Sequence, residues 1–194
     1  MKLDDTYWNQ RYLDNNTPWD AGTPTRPIKD YIDSLKDQSL KILVPGAGNG
    51  HEVRYLFEKG FSNVWICDWA IEALNRFSES LPDFPKSQLL NIDYFKISHR
   101  FDLIIEQTFF CALSPDLRER YVGKTAALLQ DEGRLVGLLF ANLFPFEGPP
   151  FGGSKEEYLQ LFSPQFKIEK LEICYNSITP RQNQELFINF VKQN

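Results

Sequence analysis

Asp68 stands 22 residues beyond Gly46, the first glycine of the run Val44-Pro45-Gly46-Ala47-Gly48-Asn49-Gly50-His51-Glu52. Glycines at alternate positions let a backbone adopt positive φ and let a ligand come close. Apolar Ile42 to Val44 precede the run and amphipathic Val53 to Glu58 follow it, so it reads as strand, tight turn, helix. A helix N-terminus offers N–H groups without intrahelical partners, and open α/β sheets bind cofactors at such strand ends. An acidic residue closing the next strand is placed to hold ribose hydroxyls, because a carboxylate accepts from two O–H groups at once. Gly46, Gly48, Gly50, Asp68 and the adjacent Trp69 are therefore candidate cofactor residues. Asp68 has a second reading, as cap of the helix that begins at Ala70. A dinucleotide fingerprint would need its third glycine at position 51, which is His51.

Two more strand ends carry polar groups. Asp93 and Tyr94 follow one strand, and Glu106 and Gln107 close the next. Asp93 suits an adenine amino group or, alternatively, a turn; Tyr94 suits the ring face. Gln107 suits the far end of the cofactor or a solvated strand end. No Ser/His/Asp or Cys/His arrangement is present. Glu106 and His99 are the only plausible general bases, and no catalytic residue is expected. Three cysteines without a CxxC pair, and histidines only at His51 and His99, give no metal-ligand cluster, so no metal is expected.

Elements that position these groups follow from periodicity. Helices are expected over 4–14 and 27–35, the second with Pro27 in its first turn. From residue 40 strand and helix alternate: strands 40–44, 63–68, 88–92, 101–106 and 133–140, and helices 50–59, 70–80, 115–129 and 154–162. Gly60 closes the first of these helices, Ser114 is a good N-cap, and 130–133 is a turn. Strands 166–174 and 184–191 have no helix between them and form an edge hairpin. This pattern predicts a doubly wound, mostly parallel α/β sheet with helices on both faces. Residues 1–194 are expected to form one domain, with 1–38 an aromatic segment before the core at 39–194.

The chain has 194 residues and net charge −5, with no basic run to track nucleic acid. No apolar stretch is long enough for a membrane helix, and the acidic start is not a targeting peptide. A reduced cytoplasmic setting, a small-molecule substrate and a monomer are expected. Aromatic residues reach 14%, the unusual number of the composition.

The Gly-x-Gly-x-Gly spacing fits the S-adenosylmethionine turn of class I methyltransferases better than an NAD turn. Around it the chain resembles the thiopurine, thiol and halide methyltransferase family. The resemblance rests on the glycine run, on Phe109-Phe110-Cys111-Ala112-Leu113-Ser114-Pro115 with Arg118 and Tyr121, and on Gly148-Pro149-Pro150-Phe151. It rests also on Trp8 with Tyr12 and on Thr17-Pro18-Trp19-Asp20. It implies a Rossmann-like class I methyltransferase fold with seven strands and an N-terminal helical lid. It implies methyl transfer from S-adenosylmethionine, leaving S-adenosylhomocysteine, to a thiol, thiopurine or halide. Trp8, Tyr12 and Trp19 would wall the sulfonium, and Trp19, Phe110 and Phe151 would meet the substrate. Arg181 would attract an anionic acceptor or remain solvated; Phe109 and Phe110 have core packing as their other reading. Cys111, with no basic neighbour, reads as a small buried residue.

There are departures. Phe151 stands where many halide-type members carry Tyr, and Tyr12 where Trp is frequent. Glu106-Gln107 stands where plant halide-type relatives have Asp-Tyr and thiopurine-type ones Asp-Arg. Two other functions compete: a class I methyltransferase on another small acceptor, which would want a base, and a non-catalytic S-adenosylmethionine-binding protein.

Overall fold

Leu43, Ile104, Leu135 and Leu139 belong to one apolar cluster, and Ile42, Val44, Leu103, Ile105 and Val136 to another. This is the period-two alternation of strands buried on both faces. The computed structural model, which describes residues 2–193, shows the sheet it implies. Its strands are β1 (Ile42–Pro45), β2 (Val64–Cys67), β3 (Leu89–Leu90), β4 (Phe101–Gln107), β5 (Leu129–Phe140), β6 (Phe166–Ile173) and β7 (Glu185–Lys192). Their order is β3-β2-β1-β4-β5-β7-β6. The first five are parallel, and β7 lies antiparallel between β5 and β6, so the terminal hairpin forms one edge.

Helices cover both faces. On one side α2 (Arg26–Ser34), α3 (His51–Glu58) and α4 (Ile71–Ser80) bury Ile28, Ile32, Val53, Leu56, Leu74 and Phe77. On the other, α5 (Arg118–Leu128) and α6 (Lys155–Phe162) bury Tyr121, Val122, Tyr158 and Phe162. α1 (Asp5–Leu13) lies outside the sheet, where Tyr12 packs with Ala70 and Ala73 beside Trp8 and Trp19. Arg76 of α4 ties α1 down, its guanidinium donating to the Tyr12 carbonyl at 2.5 Å. Gly60 closes α3 with φ 91°, while Gly60 N donates to Phe57 O and Phe61 N to Leu56 O. These are the two bonds of a Schellman motif.

Three expected elements differ. The strand at 88–92 shortens to Leu89–Leu90 after a single 3₁₀ turn, Lys86–Gln88. It is an edge strand, and beyond it the Asn91 side chain, not the backbone, bonds the carbonyls of Asp68 and Trp69. Ser114 does not cap a helix N–H: its hydroxyl bonds the Asp116 carboxylate, Pro115–Leu117 form a 3₁₀ turn, and α5 starts at Arg118. The turn at 130–133 sits inside β5 as a bulge. Leu129 pairs with Phe101 and Arg134 with Leu103, so the intervening residues loop out around Glu132, φ 60°.

Candidate active site

The C-terminal ends of β1, β2 and β4 meet one side of the molecule, where the chain leaves a cavity of about 1250 Å³. Gly46, Asp68, Trp69, Asp93 and Tyr94 line one part of it; Cys111, Phe140, Phe151 and Arg181 line another. Trp8, Tyr12 and Trp19 line it too. A smaller pocket of about 40 Å³ adjoins it, lined by Gly46, Gly48, Glu52, Thr25 and Gln107.

The glycine turn is shaped by its neighbours. Gly46, Gly48 and Gly50 have φ of 58°, 54° and 70°, a region L side chains rarely occupy. A Cβ at Gly48 would stand 2.5 Å from the Tyr12 hydroxyl, and one at Gly46 would run into the Phe109 ring. Gly50, the third glycine of the turn, stands apart from the other two. It lines neither cavity; its missing side chain makes room for Phe77 of the core.

Asp68 is buried, its two carboxylate oxygens accepting from Gly48 N and Ala70 N, both at 2.8 Å. It thus stabilises the chain just before α4 and also lines the cavity. Burial pushes its carboxyl up to about 6. Trp69 is half-exposed at the cavity wall. The Asp93 side chain accepts from Phe95 N at 2.9 Å, a turn-stabilising bond, while the residue lines the cavity. Tyr94 presents part of itself to the cavity, but its hydroxyl lies in the core, 2.7 Å from Thr125 Oγ1, with its ring stacked on Tyr121.

Trp8, Tyr12 and Trp19 meet edge to face, Trp8–Trp19 at 5.6 Å and Tyr12–Trp19 at 6.0 Å between ring centres. The segment is latched from below. Asp20 lies 2.7 Å from His51 Nε2, accepts from Gly22 N at the same distance, and accepts also from the Asn49 side chain. The His51 bond holds the Asp20 carboxyl well below its usual range, and the same bond raises His51. On the other flank the Arg181 guanidinium donates to the Trp19 carbonyl at 2.6 Å.

Several expectations need correction. Phe110 does not face the substrate: it is 1% exposed and packs on Tyr121, Tyr158 and Phe162, the outcome favoured by a short 3₁₀ turn that rolls it into the core. Its neighbour Phe109 lines the cavity instead. Glu106 is fully buried, and Phe109 N, Phe110 N and Tyr121 Oη, each at 2.8 Å, donate to its carboxylate. Burial pushes it up to about 7, and it lines neither cavity; its bonds organise the turn after β4. His99 packs tilted against Trp65, 4.6 Å between ring centres, just before β4 and at the opposite end of the sheet from the cavity. Arg181 is buried, not solvated. Gln107 is buried too, its Oε1 accepting from Thr25 Oγ1 at 3.1 Å.

Sequence reasoning missed Glu52, Thr25, Asp20 and His51 as site groups. The available signal was that Asp20, His51 and Glu52 all stand in the motifs that carry the family resemblance. Cys111 is buried, and burial pushes its thiol up; besides lining the cavity, it accepts Phe151 N at its carbonyl at 2.7 Å.

Residues 3–193 match the family described as Thiopurine S-methyltransferase (TPMT). The chain belongs to that family. This thiopurine methyltransferase relative is a methyltransferase that uses S-adenosylmethionine and acts on small soft nucleophiles. It is 29% identical over 184 residues to "Probable thiol methyltransferase 2" of Arabidopsis thaliana, covering 92% of this chain and 81% of that protein. It is 25% identical over 191 residues to "Thiopurine S-methyltransferase" of Acinetobacter baylyi, covering 86% of this chain and 87% of that one. Among solved structures, the Burkholderia thailandensis 1,6-didemethyltoxoflavin-N1-methyltransferase superimposes with TM-score 0.79 at 16% identity, over 98% of this chain and 87% of its own. A TehB-like S-adenosylmethionine-dependent methyltransferase from Corynebacterium glutamicum gives 0.70 at 21%, over 97% and 98%. These two show the fold.

The site fits the cofactor of the family. Gly46 lines the cavity at the end of β1, the buried carboxylate of Asp68 follows β2, and three aromatic rings line the same space. No helix is long and apolar enough to cross a membrane among the described residues.

Proposed function

We propose that this enzyme methylates small anionic sulfur nucleophiles, hydrosulfide and thiolates first, with halide and thiocyanate as further acceptors. The observation that carries the reading is Arg181. Its guanidinium is buried at the cavity wall, with Nη1 lacking any hydrogen-bond partner among the described residues. Nη1 faces Glu185, whose Oε1 lies 3.6 Å away in an ion pair. Arg181 is thus a cation set in the cavity lining, and its field would draw an anionic acceptor into the cavity. The names of relatives agree: they are thiol, thiocyanate and thiopurine methyltransferases.

S-adenosylmethionine, when bound, supplies an electrophilic methyl on a cationic sulfur. Asp68, Trp69, Asp93 and Tyr94 would hold its nucleoside, and the turn with Gln107 its tail. Trp8, Tyr12 and Trp19 would present ring faces, each worth roughly 0.5–2 kcal/mol to a cation. Phe140 and Phe151 exclude water from the acceptor, and an unhydrated anion is the better nucleophile. Alignment is the enzyme's main contribution, up to about 7–11 kcal/mol in favourable cases. An anion surrenders no proton, so its methylation needs no general base.

The same reading takes residues 1–194 as one monomeric, cytoplasmic methyltransferase unit without nucleic-acid partners. It is supported by the net charge of −5 and by three unpaired, buried cysteines. The test is methyl transfer from labelled S-adenosylmethionine to hydrosulfide, an aryl thiol, a thiopurine, iodide, bromide and thiocyanate. Turnover of the small anions is expected, with Arg181→Met raising their KM about tenfold or more. Turnover confined to neutral amines or alcohols would overturn the proposal.

A further inference from the structure

Glu52, on the first turn of α3, faces the small pocket beside the glycine turn and is 6% exposed. The hydrogen bond its carboxylate accepts from elsewhere in the chain comes from Thr25 N, at a long 3.3 Å. No Lys or Arg pairs with it among the described residues, and its neighbour His51 is committed to Asp20. A carboxylate taken out of water without a cation beside it is costly, and burial accordingly pushes its carboxyl up. Nothing within the protein supplies the missing counter-charge.

The rest of the pocket has a definite chemistry. Gln107 Oε1 is taken by Thr25 Oγ1, which leaves the Gln107 NH2 without a protein partner among the described residues. The volume, about 40 Å³, exceeds the roughly 10–15 Å³ that one water needs. Tyr12, Trp19, Gly46 and Thr108 line this pocket and the large cavity alike, so the two adjoin. One uncompensated anion and one free amide donor complement an ammonium and a carboxylate on the same carbon. β1 itself ends in Val44-Pro45 and provides no acid to do this.

We propose that Glu52 is the receptor for the α-ammonium of the cofactor's methionyl tail, with the Gln107 amide on the tail's carboxylate. The proposal rests on the cofactor assignment above and adds the residue that distinguishes an amino-acid-bearing nucleoside from a bare one. Thr25 joins the two, since its N–H and hydroxyl bond Glu52 and Gln107 respectively; it is a positioning residue.

Calorimetric binding of two nucleosides to the full chain tests it. S-adenosylhomocysteine carries the ammonium and no sulfonium; 5′-deoxy-5′-methylthioadenosine lacks the tail altogether. Glu52→Gln should weaken the first about tenfold or more and leave the second within about twofold. Glu52→Asp, which restores the charge, should recover part of the loss. Equal losses for both nucleosides would show that Glu52 only shapes the turn, and no loss for S-adenosylhomocysteine would remove it from the site; either overturns the proposal. Retained binding of the tail-less nucleoside also shows that the variant is folded. A wild-type chain that binds neither nucleoside would overturn the cofactor assignment itself, and the proposal with it.

Discussion

Asp68 already accepts two backbone N–H groups, yet each carboxylate oxygen keeps a further lone pair for a ligand hydroxyl. Burial raises its carboxyl to about 6, so its charge changes in mildly acidic solution. Ribose hydroxyls donate to the ionised form and so lower this value on binding. The ligand therefore favours the deprotonated site: affinity is complete well above about 6 and falls as pH drops through that value. Dissociation constants for S-adenosylhomocysteine measured from about pH 5 to 8 should show this decline in the wild type. Asp68→Asn should bind about tenfold more weakly throughout and show a flat profile over the same range. Asp68 was legible in the sequence because its spacing from the glycine turn lies within one strand-helix-strand unit. Phe110 and Glu52 were not. Which of two adjacent phenylalanines turns inward, and whether a helical glutamate faces water, depend on elements that pack from elsewhere in the chain.

At the scale of elements, strands and helices followed from alternation and from Gly and Pro punctuation, and the misreadings were local. Ser114 lost its capping role because Asp116, two residues on, competes for its hydroxyl. The latch between the segment after α1 and the start of α3 was invisible, since it joins residues 31 apart through Asp20 and His51. It carries a pH dependence of calculable sign. The His51 value is raised in the folded protein by its bond to Asp20. The stabilisation is therefore fully present below the unfolded value of about 6.5 and is lost as pH rises through the folded one. Asp20→Asn keeps the shape and removes the charge. It should speed amide exchange over residues 17–25 relative to the wild type at about pH 6 and converge with it at about pH 9. A difference that persists unchanged at high pH would refute the ion-pair account of the latch.

The whole cavity is closed by three stretches distant in sequence: the N-terminal aromatic segment, the loop between β5 and α6, and the loop between β6 and β7. Arg181 joins the first to the third, donating to a carbonyl 162 residues away while its other terminal nitrogen faces Glu185 Oε1 at 3.6 Å. No reading of one sequence finds such a contact, because neither partner is marked by local pattern. Its consequence is thermodynamic coupling. An anion that fixes the guanidinium also fixes the group that holds Trp19, and Trp19 walls the cofactor space. Coupling of this kind is reciprocal. S-adenosylhomocysteine should bind several-fold more tightly in saturating iodide than in its absence, and iodide more tightly with S-adenosylhomocysteine present by the same factor. Arg181→Met should abolish the effect in both directions. Arg181→Lys, which keeps the charge but not the two-pronged geometry, should retain anion binding while losing most of the coupling. Calorimetry on these forms separates a guanidinium that merely attracts an anion from one that ties acceptor binding to closure of the aromatic segment. Equal affinities with and without iodide in the wild type would leave Arg181 only the first role.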